Sequence, residues 1–316
     1  MSDSSAEIAR LSFISRVLFA SGGLPILIFG TIGNFINLFA FICFSQFNKL
    51  PISIFLIASF IFSQFTLTFS LIPQLIYRIS GYDPLSGSIF LCKLRYYFGL
   101  SSGTIALNSI GLAGLSQYLL TSRIVRLRHL ITRKLTLLVA FSMILFFGLL
   151  FSPVLFFYTH TTNSANVTIC TTTNADFTAY NGLIVYSSIP VIVLVVSSVL
   201  TWHNARSRLV QGGNLQQNLA RMLIIQFIVV LLTTVPNLFN QIYALSTRTV
   251  PKNAIRQAQE NLLSSILGVL SFSTFGASFY IYIFASKAFR NNIRSLFHIH
   301  NRRVQPENEM ARLDQG

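Results

Sequence analysis

The sequence predicts an all-α membrane protein: a bundle of seven transmembrane helices followed by a C-terminal amphipathic helix on the membrane surface. Three observations carry this. Of 316 residues, 53% are hydrophobic and only 10% charged, with a mean hydropathy of +0.63, far from the make-up of a water-soluble domain. Seven stretches contain no Asp, Glu, Lys or Arg, and each exceeds the ~20 residues an apolar helix needs to cross hydrocarbon. They lie between Arg16 and Lys49, Lys49 and Arg78, Arg95 and Arg123, and Lys134 and Asp176, then between Asp176 and Arg206, Arg221 and Arg248, and Glu260 and Lys287. Finally, lipid offers the backbone no hydrogen-bond partner, so a spanning segment is a helix or part of a closed barrel. These runs are too long and too continuously apolar for barrel strands.

The elements follow in order. Met1 to Arg16 reads as a short extracellular N-terminus (1–16) without a cleavable signal pattern, so the first span is expected to act as an uncleaved anchor. The seven-helix domain covers 17–285. Its first helix runs from about Val17 to Phe44, where Gly22, Gly23, Gly30 and Gly33 offer small surfaces for close helix approach and Asn34 and Asn37 need interhelical partners. After a short loop, the second helix extends to about Tyr77, with a kink at Pro73. Asp83-Pro84 and Gly87 mark a turn segment before a third helix, Cys92 to Thr121. A basic loop leads to the fourth, Leu135 to Tyr158. The long connection that follows has a β-branched centre from Val167 to Thr173, broken only by Cys170, which suits a short β-hairpin over the bundle. The fifth helix, Asn181 to Asn204, contains Pro190, and Gln211 to Asn214 breaks the chain. The sixth runs from Leu219 to Ser246 around Pro236, and the seventh ends at Ala285. In 286–298, Phe289, Ile293, Leu296 and Phe297 oppose Lys287, Arg290 and Arg294, the pattern of an interfacial helix. The tail, 299–316, is polar and expected to be disordered in the cytoplasm.

The formal charge of +15 does not point to nucleic acid, because Lys and Arg sit between the spans and not in one stripe. They are richest in the second inner loop and the tail, and absent from Thr159 to Tyr180. That bias orients the chain in the plasma membrane with its N-terminus outside and its C-terminus in the cytoplasm. Cys92 and Cys170 then both fall on the oxidising side, where a bridge would tether the long loop to the third helix; two free thiols is the alternative. Cys43 reads as a small buried residue. Asn166-Val167-Thr168 is a glycosylation sequon at Asn166, although such triplets also arise by chance.

Function classes narrow by what the spans lack. No carboxylate, lysine or arginine sits at depth, which disfavours a pump or coupled carrier. There is no nucleophile–base–orienter set, phosphate loop or metal-ligand cluster, so no enzyme, cofactor or metal is expected. His298 and His300 read as solvated tail residues.

Over about Gly30 to Phe297 the chain resembles the rhodopsin-like (family 1) G-protein-coupled receptors. The likeness rests on seven helices with an outer N-terminus, Cys92 heading the third helix with Cys170 in the second outer loop, and the terminal amphipathic helix. Gly33-Asn34 looks like the family's Gly-Asn, and Pro190 and Pro236 match its prolines of the fifth and sixth helices. Ser116-Gln117-Tyr118 stands where the family has Asp-Arg-Tyr. Ser278-Phe279-Tyr280-Ile281-Tyr282 stands at Asn-Pro-x-x-Tyr, a variant similar to that of some invertebrate peptide receptors, and Phe289-Arg290 follows at the family's spacing. Ser63 replaces the second-helix Asp, so the sodium site is expected to be absent. With Gln117 in place of arginine the usual ionic restraint cannot form, which implies high basal signalling, weak coupling or none.

The resemblance also implies a ligand class. The retinal lysine maps to Phe272 and the amine-binding Asp to Gly99, which removes opsin and aminergic readings. Gly99 and Gly103 are expected to leave room on the third helix and Asn237 and Gln241 to offer amides, which suits an extracellular peptide or small neutral ligand. The alternative is that both amides merely join helices. Ile124 and Val125, among Arg123, Arg126 and Arg128, would present an apolar anchor with a basic rim to a heterotrimeric G protein, or the same arginines would meet lipid headgroups. Ser116, Gln117, Tyr118 and Tyr282 are the expected coupling residues. Beside the receptor stand a non-coupling membrane scaffold or homo- or hetero-dimer partner and, third, a channel or carrier.

Overall fold

A computed structural model describes residues 2–122, 124–162, 168–208 and 214–294. Among these described residues are seven helices long and apolar enough to cross a membrane, one for each charge-free run, and they pack as a single bundle. The helices are α1 (Ser2–Cys43), α2 (Ile52–Ser80), α3 (Ile89–Leu120), α4 (Arg133–Phe157), α5 (Ala175–Asn204), α6 (Asn214–Ser246) and α7 (Ala254–Ala285). Two strands, β1 (Tyr158–Thr162) and β2 (Thr168–Thr172), form an antiparallel hairpin at one end. This end is called the hairpin end and the other the Phe289 end.

The bundle is built around α3, in which every residue from Ser101 to Gly111 is buried. Its neighbours bury polar residues together with large apolar ones and expose further large apolar side chains on their outer faces. On α1, Asn34, Asn37 and Phe41 are buried while Phe35, Phe39 and Ile42 are exposed, the arrangement expected where lipid and not water meets the outside. The closest helix crossing joins α1 to α7: a Cβ added at Gly276 would lie 2.9 Å from the Cα of Gly30, and one at Gly33 would lie 2.8 Å from the Cβ of Phe279. Asn34 seals this seam, its Nδ2 donating to the carbonyl of Phe275 at 3.0 Å.

Pro73, expected to kink α2, and Pro190 of α5 each follow a π turn. Leu67–Leu71 precedes Pro73, and Asn181–Ser188 precedes Pro190. A proline has no N–H for the carbonyl four residues before it, and widening the preceding turn by one residue re-pairs the freed groups. Within the second of these turns Ser188 donates its hydroxyl to the Leu183 carbonyl at 2.8 Å. At its end α2 stops in the left-handed conformation, with Gly81 at φ 73° and its N–H bonded to Tyr77.

Four expectations change. α1 begins at Ser2 and not near Val17, so most of the segment 1–16 is a helical extension. No Gly or Pro interrupts it, and Ser15 bonds Ser265 of α7 at 2.7 Å. Cys43 is exposed, because in this bundle an apolar position is as often outside as inside. The first hairpin strand comes from Tyr158–Thr162, just beyond α4, with His160 opposite Cys170; the hairpin's tip, including Asn166, lies outside the described residues. Helix α6 begins at Asn214, earlier than the expected Leu219, and α7 begins at Ala254, capped by Asn253, whose Oδ1 accepts from the Arg256 N–H at 2.8 Å.

The expected surface helix is present over 287–294. Phe289 and Ile293 are buried and Lys287 and Arg294 exposed, while Arg290 Nη1 donates to the Ile283 and Phe284 carbonyls at 2.7 and 3.1 Å, closing the C-terminus of α7. Residues 295–316 and Arg123 lie outside the described residues.

The α1–α7 crossing makes a direct prediction. Gly276→Leu meets backbone, which cannot move aside, and should destabilise the bundle by about 1–3 kcal/mol, seen as a lower unfolding temperature in detergent. Gly148→Ala, whose nearest neighbour is the Tyr97 hydroxyl at 3.5 Å, should leave it unchanged or raise it; equal effects of the two would refute the close crossing.

Candidate functional site

The hairpin end is closed by a covalent tether and a hydrogen bond. Cys92 at the head of α3 is joined to Cys170 of β2, Cα to Cα 5.8 Å across 78 residues of sequence. His160 Nε2 donates to the Leu85 carbonyl at 2.8 Å, which holds β1 to the α2–α3 connection. At the hairpin's root the Tyr158 ring stacks on Tyr96 with centroids 3.8 Å apart, and burial, with Tyr96 beside it, pushes the Tyr158 phenol up to about 12, so it stays neutral. Three carboxylates near this end are engaged. Asp176 pairs with Arg248, Asp83 accepts from the Leu85 N–H at 3.0 Å, and Glu260 takes Lys252 at 2.5 Å, Arg256 at 3.1 Å and the Tyr243 hydroxyl at 2.9 Å.

Beneath this rim a cavity of about 20 Å³, room for roughly one water, opens between α3, α5, α6 and α7. Its lining is uncharged. Leu107, Val191 and Phe275 supply apolar wall; Tyr186, Ser187, Thr234, Asn237 and Ser271 supply polar groups. Three of the five already bond protein: Ser187 donates to Gln241 Oε1 at 3.0 Å, Thr234 to the Val230 carbonyl at 2.7 Å and Ser271 to the Thr233 carbonyl at 3.4 Å. Among the described residues, the Asn237 amide and the Tyr186 hydroxyl make no protein hydrogen bond, so these two groups can bond something entering the cavity.

No protein-family profile and no curated protein matches the chain. The site must therefore be read from its own chemistry. Asn237 faces the cavity as expected, whereas Gln241 joins α5 to α6 through Ser187. The room expected at Gly99 and Gly103 is occupied. Ser70 of α2 fills the place of a Cβ at Gly99, and the Tyr186 ring lies 2.9 Å from one at Gly103. The glycines thus let α2 and Tyr186 approach α3, and they open no pocket. Tyr186 was missed because its face on α5 depends on the π turn, which shifts every residue of Asn181–Ser188 out of helical phase.

At the Phe289 end a second polar group is assembled. Tyr282, fully buried, donates its hydroxyl to Gln226 Oε1 at 2.6 Å, and Gln226 Nε2 donates to Ser278 Oγ at 3.0 Å. Gln226 was not anticipated; an amide inside the apolar run Met222 to Leu232 was the available signal. Tyr282 also sits in a ring cluster with Phe41, Phe60 and Phe289, at 5.8–6.0 Å between centroids, and Phe279 meets Phe289 at 6.3 Å. Ser116 and Gln117 are buried on α3, as is Ser63 on α2, and the Tyr118 carbonyl accepts from Asn204 Nδ2 at 3.0 Å. Pro190 follows the π turn beside the cavity, and Pro236 adjoins Asn237 within α6. Ile124 and Val125 stand 58% and 53% exposed at the start of a short helix, Val125–Leu130, that buries nothing.

Loss of the tether should be costly. Cys170→Ala is expected to lower the unfolding temperature, by an amount corresponding to about 2–4 kcal/mol, and to expose the hairpin to protease. Cys43→Ser, at an exposed thiol, should do neither. An unchanged unfolding temperature for Cys170→Ala would remove the hairpin from the stability of the bundle.

Proposed function

We propose that this chain is a seven-helix receptor of the rhodopsin-like G-protein-coupled kind. In this reading it lies in the plasma membrane with the hairpin end outside, binds a small neutral ligand or the tip of a peptide at the hairpin end, and signals to a heterotrimeric G protein at the Phe289 end. The observation that carries it is the pairing of two unlike ends on one bundle. A tethered hairpin roofs an uncharged cavity with an unbonded Asn237 amide and Tyr186 hydroxyl, and the opposite end exposes Ile124 and Val125 beside Arg126 and Arg128. The cavity lining carries no charged side chain, which favours a neutral ligand over a cationic one.

The resting cavity is too small for a drug-sized molecule, so ligand entry requires Tyr186 or α6 to move, as expected of a protein that shifts between two packings. A second reading, a receptor-derived scaffold or dimer partner that does not couple, is favoured by Ser116-Gln117, where neutral buried side chains replace a charged pair.

Nucleotide exchange on purified heterotrimeric G proteins, with the chain in nanodiscs, tests the reading. Wild type should accelerate exchange over empty nanodiscs with at least one G-protein subtype. Acceleration by Gln117→Arg alone would select the scaffold; none from either protein would overturn the receptor. Once a screen yields an activating ligand, Asn237→Leu and Tyr186→Phe should each weaken its apparent affinity by about 3- to 10-fold, the worth of one neutral hydrogen bond, with little change in unfolding temperature.

A further inference from the structure

Gln226 sits on α6 at 1% exposure, flanked in sequence by Ile225 and Phe227, and both ends of its amide are used on the same neighbour. The acceptor takes the Tyr282 hydroxyl and the donor reaches Ser278. Ser278 and Tyr282 are four residues apart, one above the other on a single face of α7. One amide can meet both only at one rotation and one height of α6 against α7. Turning or sliding α6 breaks the two bonds together and strands an amide, a phenol and a hydroxyl away from water, a cost that makes the contact all-or-none. Further along the same seam the Thr233 and Thr274 hydroxyls bond each other, and Ser271 bonds the Thr233 carbonyl.

We propose that Gln226 is a positioning residue: a neutral two-point clamp that holds Tyr282 against α6 and keeps the Phe289 end closed. The clamp itself needs no partner; its signalling consequence rests on the receptor reading. Where that reading holds, basal exchange stands above that of empty nanodiscs yet is held down despite the neutral Ser116-Gln117 pair, because the restraint has moved from a charged pair to an amide. Of the three outcomes expected from Gln117 alone, high basal signalling, weak coupling or none, the clamp disfavours the first.

The test uses the full chain in nanodiscs on a Cys43→Ser background, with spin labels at Arg221→Cys and Lys287→Cys, both exposed positions at the Phe289 end. Pulsed-EPR distances report the closure of α6 against α7 without a G protein. Gln226→Met keeps side-chain length and bulk and deletes both hydrogen bonds; Tyr282→Phe deletes one oxygen and serves where the first variant folds poorly. Each should add a longer-distance population at least several-fold above wild type, and the double variant should add no more than the larger single, because the two changes remove one shared bond. An unchanged distribution in Tyr282→Phe, or effects that add in the double variant, overturns the clamp. A merely space-filling Gln226 predicts no shift for the Met variant. Basal exchange is measured in parallel. A rise of several-fold supports the clamp and the receptor together; a distance shift without any change in exchange supports the clamp and counts against the receptor.

Discussion

Everything in this bundle depends on one constraint: within seven apolar helices a polar group has no water to turn to and must find its partner on another helix or on its own backbone. The sequence keeps charge out of the runs but leaves Asn, Gln, Ser and Thr in them, and the helix seams are where these groups meet. Asn34 ties α1 to α7 through Phe275, Thr66 meets Ser102 between α2 and α3 at 2.9 Å, Thr201 of α5 donates to Gly114 of α3 at 3.0 Å, and Gln226 joins α6 to α7. Because lipid tails are as apolar as leucine, burial alone does not choose one helix face over another, so hydrogen bonds and close packing of small residues fix the rotation of each helix. Asn37, Ser59, Ser109 and Asn181 have buried side-chain atoms without a partner among the described residues, and each is a place for an ordered water.

The same constraint explains how much of the molecule was legible. The seven crossings were, because charge is costly at depth and its absence marks each span without reference to partners. The Cys92–Cys170 tether was legible too, since topology put both thiols at one end. Which side of each helix faces inward was not. Cys43 is apolar and exposed, and Phe35 and Phe39 point outward beside the buried Asn34 and Asn37; hydropathy cannot separate lipid from core. The π turn before Pro190 hid Tyr186 for a related reason, since helical phase counted along α5 fails across Asn181–Ser188. Gly99 and Gly103 were misread in the opposite sense: a missing Cβ was taken as space, and a neighbouring helix and a tyrosine ring had already filled it.

Neutrality has a mechanical consequence along the α6–α7 seam. From the cavity toward the Phe289 end run, in order, Ser271 to the Thr233 carbonyl, Thr233 with Thr274, Gln226 to Ser278, and Tyr282 to Gln226. Thr234 and Ser271, which line the cavity, border the first of these bonds. Uncharged groups feel no long-range field, so salt and surface charge cannot set the balance of this seam; only contact geometry can. A ligand inserting beside Thr234 and Asn237 would change that geometry at the cavity end, and the stacked bonds below it share one helix rotation. A small turn of α6 there is opposed at each step until the two-point contact at Gln226 gives way. Spatial continuity does not by itself establish coupling. The all-or-none character of the last contact supplies the two-state element that a continuous chain of packed side chains would lack, and it assigns the energy separating the two states to an amide, a phenol and a hydroxyl in place of an ion pair.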